Sequence, residues 1–544
     1  MIKFFRIVLI ILFLFLFSRL FYLTVVRGES FRERADENRI VTEVIPASRG
    51  IIYDCFGRGL VNNVPYYQLE GKEISRDEFL KLVALGKSDA VKSVYRREYL
   101  FGESTAHLLG YLGSVTQEEV EVATNDCGQY YLSDLVGRGG IEEEYECWLK
   151  GKNGQRLVET DIKGEITREV GRVAAEPGND LVLNIDIRLQ EKAYKLLSSR
   201  KGAIVVTNPK NGKVLALVSS SSFDPNIFTI RRDEQAIKML LQSEKEPFLN
   251  RAISSRFPPG SVFKIVTAIA GLEEGKIDSQ TKIEDTGVLR VGSFEYTNWY
   301  FTQYGKTEGE LNLVGAIKRS NDIFFYKVGE FLGVDKLSFW AKKFGLDKTT
   351  GIDLPAEVAG LVPSGEWKQT VKGQPWFLGN TYHLAIGQGD LTVTPLEINI
   401  MTNIIANDGK LCQPRIAQDT SDGDKALKTP RRWPKDSPKV ESCQDLQLKP
   451  ENLRLVKEGM KETCSAGGTA FPFFNFQPQT ACKTGTAEFG DANNKTHAWF
   501  TAFAPIDDPR LSVTVFLEGG GEGSADAAPI AKEIMAEYFE EIKN

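Results

Sequence analysis

The sequence predicts an α+β protein with a single N-terminal membrane helix and two domains beyond it. Three features predict this. The run IVLIILFLFLFSRLFYLTVV (7–26) gives 20 almost uniformly apolar residues, about what a helix needs to cross a bilayer. At 544 residues the chain exceeds one ordinary domain, and EPGNDLVLNIDIRLQEKAYKLL (176–197) reads as a fresh start: turn, strand, then helix. Beyond it, apolar hairpins such as KGAIVVTNPKNGKVLALVSS alternate with helical runs. Apolar content of 42% and charged content of 26% are those of a globular chain. A net charge of −6 gives no general case for nucleic-acid binding, and neither a Walker-type loop nor zinc-like Cys/His spacing occurs.

The elements follow in order. Lys3 and Arg6 precede the apolar run, which is apolar on all faces and so unlike a buried helix of a soluble enzyme. Arg19 lies near its far end, where it can snorkel or meet a membrane partner. No small-x-small cleavage site follows, which favours an uncleaved anchor over a removed signal peptide. Arg27, Arg32 and Arg34 make both flanks basic, so charge orients the helix weakly. The short N-terminal tail places the bulk of the chain outside the cytoplasmic membrane. After the charged ESFRERADENRI, IPASRGIIYDCFGRGLVNN reads as strand, Phe-Gly turn and strand. Residues 70–170 read as short helices and glycine turns. The domains are expected at 1–27 (tail and anchor), 28–174 and 175–544, the last large enough for a substantial core.

Seven cysteines fit an oxidising compartment. Cys412 and Cys443 flank a polar, proline-bearing insert, Cys464 and Cys482 bracket a loop, and Cys127 and Cys147 form a third candidate pair. That leaves Cys55 as the odd thiol. Free buried thiols are the alternative.

PPGSVFKIVTAIA (258–270) carries the chemistry. Pro258, Pro259 and Gly260 punctuate the chain before an apolar helix whose first turn holds Ser261 and Lys264, three apart on one face. A serine cap with a snorkelling lysine would look the same. A nucleophile with its own base is the sharper reading, since a serine hydroxyl needs its proton removed. RSNDIFFYKVG holds Ser320, 59 residues beyond Ser261, with Asn321 and Asp322, and ACKTGTAEFG holds Lys483, 163 further, with Thr484, Gly485 and Thr486. Alone, Ser320 is an ordinary cap and Lys-Thr-Gly an ordinary strand end. In the order Ser-x-x-Lys, Ser-x-Asp, Lys-Thr-Gly they form the signature of penicilloyl serine transferases. In that chemistry Ser261 attacks a carbonyl, Lys264 takes its proton, and Ser320 relays protons between Lys264, Lys483 and a leaving amine. The N–H groups of Ser261 and Thr486 are the oxyanion candidates, each worth about 3 kcal/mol when aligned. Lys483, Thr484 and Thr486 suit a substrate carboxylate, and Gly485 leaves room for close approach.

Over nearly all residues after 40 the chain resembles a class B penicillin-binding protein of the cell-elongation type. SRGIIYDCFGRGLVNN, GRGGIEEEYECWLKGKNG, RFPPGSVFKIVTAIAGLE, SNDIFFYKVGEFLG, TGIDLPAEVAGLVPS, GNTYHLAIGQGDLTVTPLE, CKTGTAEFG and HAWFTAFAP carry the resemblance. It implies an elongated non-catalytic pedestal before a transpeptidase domain, the latter an antiparallel sheet flanked by helices. It implies stem peptides ending in D-Ala-D-Ala as substrate, covalent β-lactam binding, a SEDS-family membrane glycosyltransferase as partner, and a bacterial cytoplasmic membrane with the catalytic domain outside. It implies no cofactor. Some relatives carry a His/Cys metal cluster between the first two motifs; residues 256–330 contain neither residue, so no metal is expected. Asp322, read as substrate-binding, stands where many class B members have asparagine and elongation types have aspartate. The pedestal looks short over 65–100. His107, His383 and His497 read as structural; Trp299, Trp367 and Trp376 read as packing, with Trp299 a candidate for the cleft wall. The alternatives are a D,D-carboxypeptidase or serine β-lactamase on the same site, or a scaffold that activates its polymerase partner.

Overall fold

Leucine, isoleucine and phenylalanine all round the cylinder leave helix α1 (Ile2–Phe21) no polar stripe, and none of it is buried against the rest of the chain. A π-helical turn (Tyr22–Val26) extends it to 25 residues, the one helix among the described residues long and apolar enough to cross a membrane. The computed structural model describes residues 2–541 except 70–71, 87–90, 123–126, 128–129, 133, 162–165, 198, 231–232, 419–442 and 491–494. Much of the polar insert between Cys412 and Cys443, and parts of the short 65–100 stretch, lie outside these.

Helix α2 (Gly28–Arg39) leads from the anchor into β1 (Ile40–Ile45). Among the elements that follow are the strands β2 (Ile52–Tyr53), β3 (Val61–Leu69), β4 (Val91–Tyr99), β5 (Gly154–Thr160), β6 (Ile166–Val173) and β7 (Leu181–Val182), with shorter strands and helices between them. The antiparallel order β1-β5-β6 forms one small sheet and β3 pairs with β4 in another, while β2 runs parallel to β7 and ties the two halves of the chain. Residues 70–170 thus hold more strand than the sequence suggests. In β4, VKSVYRREY hides its period because the inward Arg97 is charged. Its Nε donates to Glu142 Oε1 at 2.7 Å and its Nη1 to Gly50 O at 2.8 Å. Arg49 bonds the other oxygen of Glu142 at 2.6 Å and Glu146 at 2.6 Å. One buried glutamate therefore neutralises two arginines from different segments. Glu142→Ala, which takes from Arg97 its carboxylate and leaves Arg49 with Glu146 alone, is expected to cost about 3–5 kcal/mol, read as a lower denaturation midpoint of the full chain; an unchanged midpoint would show that the knot adds nothing.

The second half opens on α3 (Ile187–Leu197), β8 (Gly202–Thr207) and β9 (Val214–Ser220), the expected hairpin. It continues with α4 (Lys264–Glu273), the short strands β10 (Ile283–Asp285), β11 (Val288–Val291) and β12 (Phe294–Thr297), helix α5 (Trp299–Tyr304) and β13 (Gly309–Leu311). Then come α6 (Leu313–Arg319), α7 (Asp322–Lys343, bent at Gly333), α8 (Pro395–Ala406), α9 (Pro450–Thr463), β14 (Ala481–Glu488), β15 (Thr496–Ala504), β16 (Leu511–Leu517) and α10 (Ala528–Glu541). The central sheet is antiparallel in the order β9-β8-β16-β15-β14. Alternation along β8 divides the core: Ala203 and Val205 join α4, α7 and α8, whereas Ile204 and Val206 join α3 and α10. Gly271 of α4 lets α7 approach, since a Cβ there would lie 2.9 Å from Val328 Cγ1. Disulfides join Cys127–Cys147, Cys412–Cys443 and Cys464–Cys482, and Cys55 is a free thiol, as the loop positions suggest.

Candidate active site

The chain reaches α4 through a 3-10 turn, Gly260–Phe263, so Ser261 precedes the α-helix and Lys264 begins it. A 3-10 turn eclipses residues three apart, which stacks the serine over the lysine. Gly260 has φ +57, and its N–H donates to Gly387 O at 2.8 Å, pinning the turn to the GQGD loop. The N–H of Ser261 lies among the first amides of the turn, which lack an intrahelical acceptor. Ser261 is half-buried, and its hydroxyl makes no hydrogen bond to the described residues.

Lys264 is the one buried charge of α4. Its Nζ donates to Asp322 Oδ1 (2.7 Å), Ser320 O (2.7 Å) and, more weakly, Ser320 Oγ (3.4 Å). Lys483 on the edge strand β14 donates to Ser320 Oγ (2.7 Å) and Thr484 O (2.9 Å). Ser320 thus bridges the two lysines, each with side-chain exposure near zero. Burial lowers Lys264 below its ordinary value, opposed by Asp322 and then Glu308. Burial, then the Lys264 cation, drives Lys483 well below that value, opposed by Asp322.

Ser320 ends α6 in the left-handed region (φ +54), a conformation unusual for a side-chain-bearing residue. Asn321 caps α7 by accepting from Phe324 N–H at 2.9 Å, so its side chain is structural. Asp322 uses its first oxygen on Lys264 and its second on the N–H of Trp299 (3.0 Å). The carboxylate expected to meet substrate is thereby committed to the lysine.

On β14, Thr484 Oγ1 shares a hydrogen bond with Thr469 Oγ1 (2.7 Å), whereas Thr486 is exposed. A Cβ on Gly485 would lie 3.0 Å from Val262 Cγ1 and 3.1 Å from Trp499 Cβ, so glycine lets the strand close on the serine turn. The Cys464–Cys482 disulfide ties the residue before Lys483 to the end of α9.

Sequence reasoning missed Glu308, Asn298 and Thr469. Glu308 accepts from Asn321 Nδ2 at 3.0 Å and pairs with Arg319. No residue pattern marks these three; each acts across 13 to 24 residues of chain, beyond the reach of helix or strand periodicity. The histidines are occupied elsewhere: His107 bonds Pro247 O, His497 Nδ1 accepts from Gly519 N–H, and His383 packs edge-on to Tyr296. Burial holds His107 and His497 down to about 4. Trp376 bonds Thr381, Trp367 lies under Lys372, and Trp299 Nε1 donates to Arg319 O at 2.9 Å.

The family profile "Penicillin binding protein transpeptidase domain" matches residues 202–536, and "Penicillin-binding Protein dimerisation domain" matches 72–183. The peptidoglycan D,D-transpeptidase MrdA of Haemophilus influenzae is 32% identical over 96% of this chain and 89% of its own length. The crystal structure of Pseudomonas aeruginosa PBP2 in complex with WCK 5153 aligns with TM-score 0.73 and 32% identity, covering 92% of this chain and 96% of that one. PBP2 in complex with MreC from Helicobacter pylori aligns at TM-score 0.77 and 26% identity, over 92% and 99%. With its transpeptidase profile spanning more than half its length and its three motifs gathered around one buried serine bridge, this chain belongs to the penicillin-binding-protein transpeptidase family.

Proposed function

We propose that this protein is a serine-type peptidoglycan D,D-transpeptidase that cross-links stem peptides during cell-wall elongation. The observation that carries the reading is the Lys264–Ser320–Lys483 line, with Ser261 on the turn that leads into Lys264 and its hydroxyl making no hydrogen bond to the described residues. Ser261 Oγ attacks the carbonyl of the D-Ala-D-Ala bond, and Lys264 takes the hydroxyl proton. The N–H groups of Ser261 and Thr486 receive the oxyanion. As the C–N bond breaks, a proton passes through Ser320 from the lysines to the leaving D-Ala amine. A neighbouring stem peptide's amine then releases the acyl group, forming the cross-link and restoring the serine. Thr486, open to the cleft, and Thr484, oriented by Thr469, receive the donor's terminal carboxylate; Asp322 serves as the counter-ion of Lys264.

The expected domains are an anchor at 1–27, a pedestal at 28–174 and the transpeptidase at 175–544. α1 anchors the chain in the bacterial cytoplasmic membrane with the catalytic half outside, in reach of peptidoglycan. A SEDS-family glycosyltransferase in the same membrane supplies the strands to be joined, and β-lactams acylate Ser261 as substrate mimics.

The test uses the full chain in detergent with a labelled penicillin, then a stem-peptide donor and an amine acceptor. A stable adduct on Ser261, with cross-linked product, is expected. Rapid loss of label with drug turnover would instead mean a β-lactamase, and release only to water a carboxypeptidase. The adduct's rate of formation is expected to rise with pH through a midpoint below 10.5, the ordinary lysine value, because the folded state holds both lysines below it. The same shift has a stability sign. Below 10.5 the unfolded chain binds more protons than the folded one, so the destabilisation from burying these amines shrinks as pH rises toward that value. A profile with no midpoint anywhere below 10.5, acid pH included, would remove the lysine base from the mechanism.

A further inference from the structure

Between the first two motifs the chain inserts β10–β13 and α5, a segment that the chemistry above does not use. Its centre is Asn298, wholly buried, followed by Trp299. Together they hold the middle motif at four points. Asn298 Oδ1 accepts the N–H of Asp322 at 3.1 Å. The N–H of Trp299 donates to Asp322 Oδ2 at 3.0 Å. The indole N–H of Trp299 donates to Arg319 O at 2.9 Å, and the Arg319 guanidinium lies 5.6 Å from that ring. Asn298 is itself held, since its Nδ2 donates to Asp285 Oδ2 at 2.9 Å. Asp285 Oδ2 also accepts the N–H of Glu308 at 3.0 Å, and Glu308 reaches Asn321 and Arg319. These grips bracket Ser320, one residue before it and two after.

We infer that the Asn298–Trp299 dipeptide is a positioning element for acylation, holding Ser320 in its left-handed conformation and fixing which oxygen of Asp322 faces Lys264. The inference rests on the acyl-enzyme reading above. Its physical content lies in the Trp299 amide. A hydrogen bond to one carboxylate oxygen draws charge from the other, so Asp322 holds the Lys264 proton less tightly than a free carboxylate would. Removing that N–H leaves more charge facing the lysine. Other groups face the pair from every side: Lys483 from β14, Glu308 from the segment before β13 with Arg319 paired to it, Tyr326 one turn along α7 toward Asp322, and the Phe325 ring 5.6 Å from Lys264 Nζ. None of these donates to Asp322 Oδ2.

The test compares two variants in the full chain. Trp299→Ala loses the indole but keeps the amide; Trp299→Pro loses both. Proline suits the site, because residue 299 is the first of α5 and Asn298 is extended (φ −81, ψ 137). The Pro variant is expected to acylate penicillin roughly tenfold more slowly than the Ala variant, the effect of one lost hydrogen bond to a charged group. The midpoint of its pH–rate profile is expected to move up by ~0.5 unit or more. Equal rates and equal midpoints overturn the inference. If Trp299→Pro shows no cooperative unfolding, Asn298→Ala decides, since it removes the acceptor for Asp322 N–H and the tie to Asp285. Slower acylation with a raised midpoint supports the inference, and the parental rate and midpoint sink it. A parent unlabelled at Ser261 would defeat the transpeptidase reading itself, whereas a labelled parent with indifferent variants defeats the inference alone.

Discussion

Lys264→Met is expected to reduce acylation by about 10²–10⁴-fold, the usual contribution of a positioned general base. Methionine nearly conserves the stem's volume, so α4 keeps its packing. What vanishes is the Nζ that binds Asp322 Oδ1 and Ser320 O. Asp322 is then a buried carboxylate that has lost its cation, retaining the Trp299 N–H. Stability is therefore expected to fall too, by about 3–5 kcal/mol, the cost of breaking a buried pair from one side. The two losses separate in Lys264→Met/Asp322→Asn. The amide carries no charge to strand, so the unfolding midpoint is expected to recover most of the loss while acylation stays down. Stopped-flow labelling and denaturant unfolding on the two variants measure both. A single variant that labels near the parental rate would assign the proton to Lys483 through Ser320, whose bond at 2.7 Å this substitution leaves in place.

The residues that such substitutions touch differ in how far the sequence announced them. Ser261, Lys264, Ser320 and Lys483 were legible because each belongs to a short motif whose order and local context are restrictive. Asp322 was legible as a motif member, but its partner was not: an aspartate beside a serine reads equally as a substrate contact or a counter-ion, and only the fold puts Lys264 Nζ 2.7 Å away. Thr469 and the amide of Trp299 leave no trace in residue type. One is a threonine in a glycine-rich loop, and the other acts through a backbone group every residue but proline carries. The same holds for the fold. The anchor and the β8–β9 hairpin follow from local periodicity. The pairing of β8 with β16 closes a loop of some 300 residues and places the Lys-Thr-Gly strand at the sheet edge, facing the serine turn. No local pattern encodes that closure. β4 failed to read as a strand because Arg97 occupies an inward position that only the distant Glu142 makes tolerable.

Ser261→Ala is expected to remove penicillin labelling altogether while leaving the unfolding midpoint within about 0.5 kcal/mol of the parent, the range for substitutions that touch no special feature. The two halves of this expectation have one cause. The Ser261 hydroxyl makes no hydrogen bond to the described residues, so removing it strands no buried partner. Lys264 and Lys483 each donate to Ser320, Lys264 also donates to Asp322, and this line survives the change. The turn is held by Gly260 N–H on Gly387 O and by tight packing against Gly485, neither of which uses the serine side chain. The expected loss is therefore one of reactivity and not of folding, since Ser261 lies on the turn that leads into Lys264 and its hydroxyl supports none of these bonds. Intact-mass spectra after penicillin treatment, with unfolding curves for parent and variant, check both halves. Label persisting on the variant would move the nucleophile to another residue. Lost label with a large fall in stability would mean that the turn depends on the hydroxyl, and the variant could no longer separate chemistry from folding. Lost label at parental stability leaves Ser261 as the acylated atom's residue, with the buried lysine–serine–lysine line as its proton acceptor.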